Sequence, residues 1–225
     1  MMMKLNTTHD PLLKRWITSA NSATTDFPIQ NLPHGVFRRS GTDEAFRGGV
    51  AIGDQILDVA AALHISVFSG EVATAAVEAS KATLNGLMGM DRAAWSALRG
   101  ELSRVLREGA AEADVLDACL TPQAAAEYAL PARIGDYTDF FTSYDHMMNM
   151  GRLFHAESAP LPPFKSIPMG YHGRASSVEV SGAPLQRPWG QARSPGATEA
   201  LFGPSQRLDY EMELGCWIGP GNARG

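Results

Sequence analysis

Helical spacing of apolar residues dominates the stretch between residues 71 and 105. Asp91 stands where a helix cap is expected, directly before a run with a 3.6-residue period. The apolar residues that follow it at intervals of three and four are Trp95, Leu98, Leu102 and Val105. The alanine-rich stretch Glu71–Leu87 predicts another helix, and Pro11 at a first helical position predicts a short one over Leu12–Ser19. We expect these helices to form core, without a function of their own.

Strand patterns lie on both sides of this helical stretch. In Gly48–Asp58 two short apolar runs flank a Gly-Asp turn, which predicts a β-hairpin. After Leu130–Arg133 the helical patterns fade, and short strand-like pieces such as Ser177–Val180 alternate with Gly- and Pro-rich turns. The fold class predicted is therefore α+β, mainly β. We expect a small N-terminal domain over residues 1–130 and the first part of a larger β domain over residues 131–225.

An acidic strand is predicted at Leu208–Trp217, where apolar and acidic positions alternate. Because side chains of a strand point alternately to opposite faces, Asp209, Glu211 and Glu213 share one face and the apolar residues share the other. Carboxylates at this spacing repel, so the face needs bulk water or a hard cation such as Ca²⁺ or Mg²⁺. A solvated edge strand remains the alternative.

A second group of chemically active residues lies between residues 135 and 146. Asp136 and Asp139 stand among aromatic residues, and His146 follows Asp139 by seven residues. In a helix that spacing spans two turns, so Asp139 and His146 could share a face and activate water together. The alternative is that Asp136 caps a turn and His146 has a structural role.

A third group is the glycine-bracketed segment Met169–Ser177. Glycines on both sides of Tyr171-His172 allow a close backbone approach or a positive φ. Tyr171 can donate a hydrogen bond to a substrate, and Arg174 can hold a carboxylate with two parallel bonds. A tight turn with Arg174 in a structural ion pair is the alternative.

Composition narrows the class of protein. The chain has 225 residues and a formal net charge of -5, so it lacks the basic face that nucleic-acid binding needs. Its apolar runs are too short to span a bilayer, and its first ten residues lack the apolar centre of a signal peptide, so we expect a cytoplasmic protein without membrane or nucleic-acid partners. Cys119 and Cys216 show no CxxC spacing, which argues against a disulfide framework or a zinc site.

The three groups described above, in their order along the chain and together with segments nearer the N-terminus, resemble the fumarylacetoacetase family. The matching segments are Phe27–Phe37, Val50–Leu57, Asp136–Phe140, Gly170–Ser177 and Asp209–Glu213 with Gly219–Asn222. The resemblance implies an SH3-like N-terminal domain, a β-rich catalytic domain and a homodimer when full length. It also implies hydrolysis of the carbon–carbon bond of 4-fumarylacetoacetate, a diketo acid, to fumarate and acetoacetate, the last step of tyrosine and phenylalanine catabolism.

Residue roles follow from the same resemblance. Ca²⁺ or Mg²⁺ would be held by four carboxylates, of which three fall on Asp139, Glu211 and Glu213. His146 matches the general base and Tyr171 a tyrosine that contacts substrate. The fourth carboxylate and the glutamate that orients the histidine would lie beyond residue 225, so we expect this chain to be the front part of a longer protein and to be inactive by itself.

The sequence departs from the family pattern at two substrate-contact positions. Phe141 stands where many members have Tyr, and His155 stands where the family usually has Arg. An imidazole holds a substrate carboxylate more weakly than a guanidinium does. A related diketo-acid hydrolase acting on shorter acylpyruvates is therefore an alternative. A non-catalytic remnant or interaction domain of a truncated gene is another.

Overall fold

The computed structural model of the protein describes residues 5–154 and 162–223. Contacts between Cα atoms divide it into two compact units. The first unit contains the described residues through Ala132 together with those from Val180 onward, and the second contains those within Arg133–Glu179. Whether a catalytic domain begins at residue 131 stays a prediction.

The first unit is built on an antiparallel sheet of five strands in the order β4-β3-β2-β1-β5. Neighbouring strands pair antiparallel throughout, for example His34 opposite Val50 and Val36 opposite Ala129. The strands are β1 (His34–Arg39), β2 (Arg47–Ile52), β3 (Gln55–Asp58), β4 (Leu120–Pro122) and β5 (Ala126–Ala129).

This sheet must curl, because its two edge strands are consecutive in the chain. β4 and β5 are joined by one turn of 3₁₀ helix, Gln123–Ala125. Four Cα–Cα links reach at most about 15 Å, whereas the edges of a flat five-stranded sheet lie about 19 Å apart. The strand order, with a 3₁₀ turn before the last strand, fits the predicted SH3-like domain. The predicted fold class is confirmed: helices occur together with antiparallel sheets, and nine strands against six α-helices occur in the described residues.

The predicted hairpin is confirmed as β2 and β3. Its turn contains Gly53 at φ 59°, a backbone conformation that glycine adopts without strain. A Cβ at Gly53 would also lie 2.5 Å from the backbone nitrogen of Ala20. Both the turn geometry and the close approach of residues 19–20 therefore require glycine at this position.

Six α-helices lie in the described residues. They are α1 (Val59–His64), α2 (Gly70–Ala79), α3 (Asn85–Met88), α4 (Arg92–Leu106), α5 (Ala113–Asp117) and α6 (Tyr144–Phe154). The predicted cap of α4 is confirmed, since Asp91 Oδ1 accepts a bond of 2.9 Å from the Ala94 N–H. The stretch Glu71–Leu87 forms two helices, α2 and α3, where one was predicted.

The helix predicted over Leu12–Ser19 is wrong. Side chains satisfy the backbone there instead: Asp10 Oδ1 accepts from the Leu12 N–H, and the Asn21 amide bonds both backbone groups of Arg15. Such local bonds from Asp and Asn compete with helix formation. The helical turns of this part of the described chain are the short 3₁₀ turns Thr7–His9 and Thr18–Asn21, and Arg15 between them forms a β-bridge with Arg107.

The hydrophobic core lies between the curled sheet and the helices of the first unit. Its buried side chains come from both layers, including Val50, Ile52 and Leu57 from the sheet and Leu98 and Leu102 from α4. Trp95, predicted to belong to the same helical stripe, is 37% exposed and lies at the rim.

Beyond residue 132 the described residues form two antiparallel sheets of two strands each. They pair β6 (Thr138–Phe141) with β7 (Met169–His172), and β8 (Trp189–Ala192) with β9 (Leu201–Pro204). The predicted strands at Ser177–Val180 and Leu208–Trp217 are not formed, since neither segment is part of any β-sheet among the described residues. A strand requires a hydrogen-bonding neighbour, which an alternating pattern cannot supply. Among the described helices, none is long and apolar enough to cross a bilayer.

Candidate functional site

Asp139 and Tyr171 are held opposite each other by the β6–β7 pairing. The two residues are Cα partners in the antiparallel register, and Tyr171 Oη donates a hydrogen bond of 2.9 Å to Asp139 Oδ2. The other carboxylate oxygen, Oδ1, accepts a bond of 2.6 Å from the Phe140 N–H. Each oxygen of Asp139 thus has one bond that fixes its direction, and an ionised carboxylate oxygen keeps a further lone pair for another partner.

The glycines around Tyr171-His172 allow close approach of aromatic rings. A Cβ at Gly170 would lie 2.9 Å from the Phe140 ring, and one at Gly173 would overlap the Tyr137 ring. Neither glycine has a positive φ. Of the two uses predicted for these glycines, the structure therefore shows the close approach.

His146 lies near Phe141 at the start of α6. Ser143 positions the helix start, since its hydroxyl oxygen accepts a bond of 3.2 Å from the His146 N–H. The rings of Phe141 and His146 meet edge to face with centroids 5.5 Å apart. Phe141 follows Asp139 by two positions along β6, so both side chains point to the same face of the β6–β7 sheet.

The shared helical face predicted for Asp139 and His146 is wrong. Asp139 lies in a strand and His146 in the first turn of a helix that begins at Tyr144. The strand forms because β7 supplies its hydrogen-bonding partner, a long-range contact that sequence spacing does not reveal. The two residues nevertheless belong to the same compact unit, as do Phe141 and Tyr171.

An aromatic cluster that the sequence did not reveal supports this face. Phe164 stacks edge to face on Phe141 at 5.6 Å, and its ring lies 6.3 Å from that of Tyr144. Lys165 places its ammonium 4.6 Å from the Tyr144 ring centroid, a cation–π contact. The sequence feature that could have indicated this cluster is Phe164, directly after the Pro-rich run Pro160–Pro163. The structural ion pair considered for Arg174 is not formed among the described residues. His155, the predicted substrate contact, lies outside the described residues.

The acidic residues at 209, 211 and 213 lie in the first compact unit. Their segment has no regular secondary structure, and the intervening apolar side chains Tyr210, Met212 and Leu214 are more than 90% exposed. Asp209 Oδ1 accepts a hydrogen bond from the next residue's N–H, at 2.9 Å. The predicted packing of the apolar face on a core is therefore not formed among the described residues.

The donor chemistry of the predicted metal ligands fits a hard cation. Asp139, Glu211 and Glu213 offer carboxylate oxygens, the ligands that Ca²⁺ and Mg²⁺ prefer, and Asp139 is pre-oriented by its two hydrogen bonds. Within each compact unit, the described residues contain no group of three acidic, histidine or cysteine side chains around a common point.

Comparison with known proteins identifies the family. The family model described as "Fumarylacetoacetase N-terminal" matches residues 30–131. A fumarylacetoacetase of Rattus norvegicus is 44% identical over 207 residues, which cover 89% of this chain and 49% of that protein. Those of Oryza sativa subsp. japonica and Homo sapiens are 44% and 42% identical over 88% and 89% of this chain.

The curled antiparallel sheet, the order of the motifs along the chain and these sequence identities all indicate the same family. The chain belongs to the fumarylacetoacetase family. It spans about half the length of the curated relatives it matches.

Proposed function

We propose that the complete protein hydrolyses the carbon–carbon bond of 4-fumarylacetoacetate, giving fumarate and acetoacetate in tyrosine and phenylalanine catabolism. The observation that carries the proposal is the arrangement on β6 and β7. A pre-oriented carboxylate, Asp139, shares one compact unit with the candidate base His146. The names of the relatives give the reaction class, and the resemblance of the motifs gives the residue roles.

Three carboxylates of this chain would help to hold a divalent ion, Ca²⁺ or Mg²⁺. They are Asp139, Glu211 and Glu213. When bound, such an ion polarises the diketo oxygens of the substrate and stabilises negative charge on the departing enolate. Tyr171 fixes one oxygen of Asp139 through its hydroxyl. In the proposed site Tyr171 would also contact the substrate, as the motif match implies.

His146 would act as the general base. In its neutral form the imidazole accepts a proton from the attacking water, whose oxygen adds to a carbonyl carbon of the substrate. The carbon–carbon bond then breaks, and the carbon of the departing acetoacetate takes up a proton. The Phe141 ring, edge to face with the imidazole, limits the orientations available to His146. His146 and Phe141 therefore form the proton-transfer side of the proposed site.

The proposal is tested with the complete protein and authentic 4-fumarylacetoacetate. We expect stoichiometric fumarate and acetoacetate by chromatography, loss of turnover after chelation, and recovery with Ca²⁺ or Mg²⁺. Absence of turnover in the complete, metal-supplied protein would refute the proposal and favour a non-catalytic interaction role. The 225-residue chain by itself is expected to show no turnover.

A related acylpyruvate hydrolase is the second candidate, motivated by His155 and Phe141, the two substrate-contact positions that depart from the family pattern. The Phe141 ring packs on His146 and Phe164 and offers no hydroxyl to a substrate. The ratio of kcat/KM for fumarylacetoacetate to that for a short acylpyruvate decides between the two. A ratio well below one would show that the short acylpyruvate is the preferred substrate.

We also propose that the complete protein is a cytoplasmic homodimer. Light scattering after size-exclusion chromatography tests whether it is a dimer.

A further inference from the structure

A cavity of about 310 Å³ opens in the first compact unit, and none of the proposed catalytic or metal-binding residues lines it. Its walls are mostly apolar and come from α3, α4 and the segment at residues 217–219. Two indole rings line it, those of Trp95 and Trp217, together with Leu98 and Leu102 of α4. A volume of this size suits a small organic molecule, since ligand pockets commonly measure about 300–1,000 Å³.

The cavity wall is locally well defined. Trp95 Nε1 donates a hydrogen bond of 2.6 Å to the Leu87 carbonyl, which fixes one indole ring. Gly219 packs so closely on that ring that an added Cβ would lie 2.7 Å from it and 2.8 Å from the Met88 carbonyl oxygen. Glycine at this position therefore allows the segment carrying Trp217 to form one side of the cavity.

Arg99 brings a positive charge to this apolar wall. Its guanidinium donates through Nε to Thr8 Oγ1 at 3.1 Å and through Nη2 to the Gln30 carbonyl at 2.7 Å. These two bonds hold the plane of the group, and both acceptors are neutral. Among the described residues no carboxylate pairs with Arg99. A half-buried guanidinium without a counter-ion is a ready binding partner for an anion.

His34 adds a second polar group to the same cavity. Its Nδ1 atom is buried and has no hydrogen-bond partner among the described residues. Burial, with the charge of Arg99 as a smaller cause, lowers the pKa of His34 to about 4, so the imidazole is neutral near pH 7. A neutral imidazole can donate one N–H to a ligand oxygen. A buried polar atom without a partner is uncommon in folded proteins and invites a ligand that would satisfy it.

We propose that this cavity binds a small monocarboxylate with an aromatic or similarly apolar body. The carboxylate would accept hydrogen bonds from the Arg99 guanidinium and from the His34 ring, and the body would lie between the two indole rings and the leucines of α4. A single cation and mostly apolar walls match one negative charge better than they match a phosphate dianion. The site is independent of the proposed hydrolase activity, since none of its residues belongs to the proposed catalytic set.

The probe for this proposal is 3-phenylpropionate, titrated into the 225-residue chain by calorimetry, with tryptophan fluorescence as a second readout. The expected result is saturable 1:1 binding with a Kd of about 0.1–1 mM, ordinary for a ligand of this size. The neutral isostere 3-phenylpropionamide should bind roughly tenfold or more weakly, because it lacks the charge that pairs with Arg99. Absence of saturation by the acid up to about 10 mM, or equal binding of acid and amide, overturns the proposal.

Variants locate the site. Arg99→Gln should weaken binding of the acid roughly 10- to 100-fold, whereas Arg92→Gln, at the exposed start of the same helix, should leave it unchanged. Because Arg99 also holds Thr8 and Gln30, Trp217→Ala provides a second test. Trp217 is 52% exposed, so its removal should preserve the fold while it weakens binding of acid and amide alike. Wild-type affinity in a folded Arg99→Gln or Trp217→Ala variant would place the ligand elsewhere and overturn the assignment.

Discussion

The parts of the chain before and after residue 132 differ most in burial. Up to Ala132 many apolar side chains are buried, and Phe37 for example is 1% exposed. Among the described residues beyond Ala132, none is buried, and Phe202 is 70% exposed. The candidate catalytic and metal-binding residues all belong to this second, core-poor part. Stability and proposed chemistry are therefore carried by different stretches of the chain.

This difference has an energetic meaning. Burial of apolar surface is the main favourable term in folding, so a segment without buried side chains adds little to its own stability. The two-stranded sheets β6–β7 and β8–β9 are stabilised by backbone pairing and a few ring contacts, and an isolated pair of strands is only marginally stable in water. We infer that the proposed catalytic residues keep a fixed arrangement only through contacts with parts of the protein outside their own segment.

Two phenylalanines give the sharpest test of the comparison. Phe37→Ala should lower the free energy of unfolding by about 3–5 kcal/mol, because a fully buried ring leaves a cavity. Phe202→Ala should change it by less than about 0.5 kcal/mol, since the ring is largely exposed. Urea unfolding followed by tryptophan fluorescence measures both values. Similar losses for the two variants would contradict the division into a core-bearing and a core-poor part.

The pH dependence of stability should report on His34. Its pKa is about 4 in the folded chain against 6.5 as the ordinary value. The unfolded chain therefore takes up the proton first, so stability is complete above pH 6.5 and falls as pH drops from 6.5 towards 4. The loss should reach about 3 kcal/mol, and His34→Gln should remove it. The control is His64→Gln, an exposed histidine, which should keep the wild-type profile; a flat wild-type profile would argue against burial of His34.

Two ion pairs of the first unit, one buried and one exposed, should differ less in their contribution to stability. Arg47 Nε donates a bond of 2.5 Å to Asp58 Oδ2, and Asp58 is 5% exposed. Asp58→Asn should cost about 2 kcal/mol in thermal or urea unfolding, because it leaves a half-buried guanidinium poorly paired. Glu127→Gln breaks the more exposed pair with Arg38 and should cost less than about 1 kcal/mol. Equal costs would show that burial does not set the strength of these pairs.

Removal of the Tyr171 hydroxyl should have the smallest effect of the changes proposed here, and that effect should be confined to the candidate site. Tyr171→Phe removes the hydroxyl that orients Asp139, so kcat/KM of the complete protein should fall about tenfold, with a similar loss of metal affinity. Tyr128→Phe removes a longer, 3.4 Å bond to the Gln123 carbonyl and should leave both unchanged. Unchanged metal affinity in Tyr171→Phe would show that the bond to Asp139 has no positioning role.

The predictions made from sequence succeeded where local rules decide structure. The Asp91 cap, the stripe through Leu98, Leu102 and Val105, and the β2–β3 hairpin depend on residues close together in the chain. The helix predicted after Pro11 failed because Asp10 and Asn21 bind the backbone instead. The acidic strand failed because alternation specifies a face but not a pairing partner.

The candidate site was predicted only in part for the same reason. Motif resemblance located Asp139, His146 and Tyr171, but the bond between Asp139 and Tyr171 depends on a pairing across 32 residues of sequence. The support of Phe141 by Phe164 likewise joins segments that no periodicity links. The metal-binding roles of Glu211 and Glu213 remain predictions.

The role of His146 tests the central claim most directly. In the complete protein, steady-state turnover of 4-fumarylacetoacetate should be compared between His146→Ala and His64→Ala, with circular dichroism to confirm folding. We expect His146→Ala to lower kcat about 10²- to 10⁴-fold, the range for loss of a general base, and His64→Ala to match the wild type. A folded His146→Ala protein that retains the wild-type kcat would contradict the proposed mechanism.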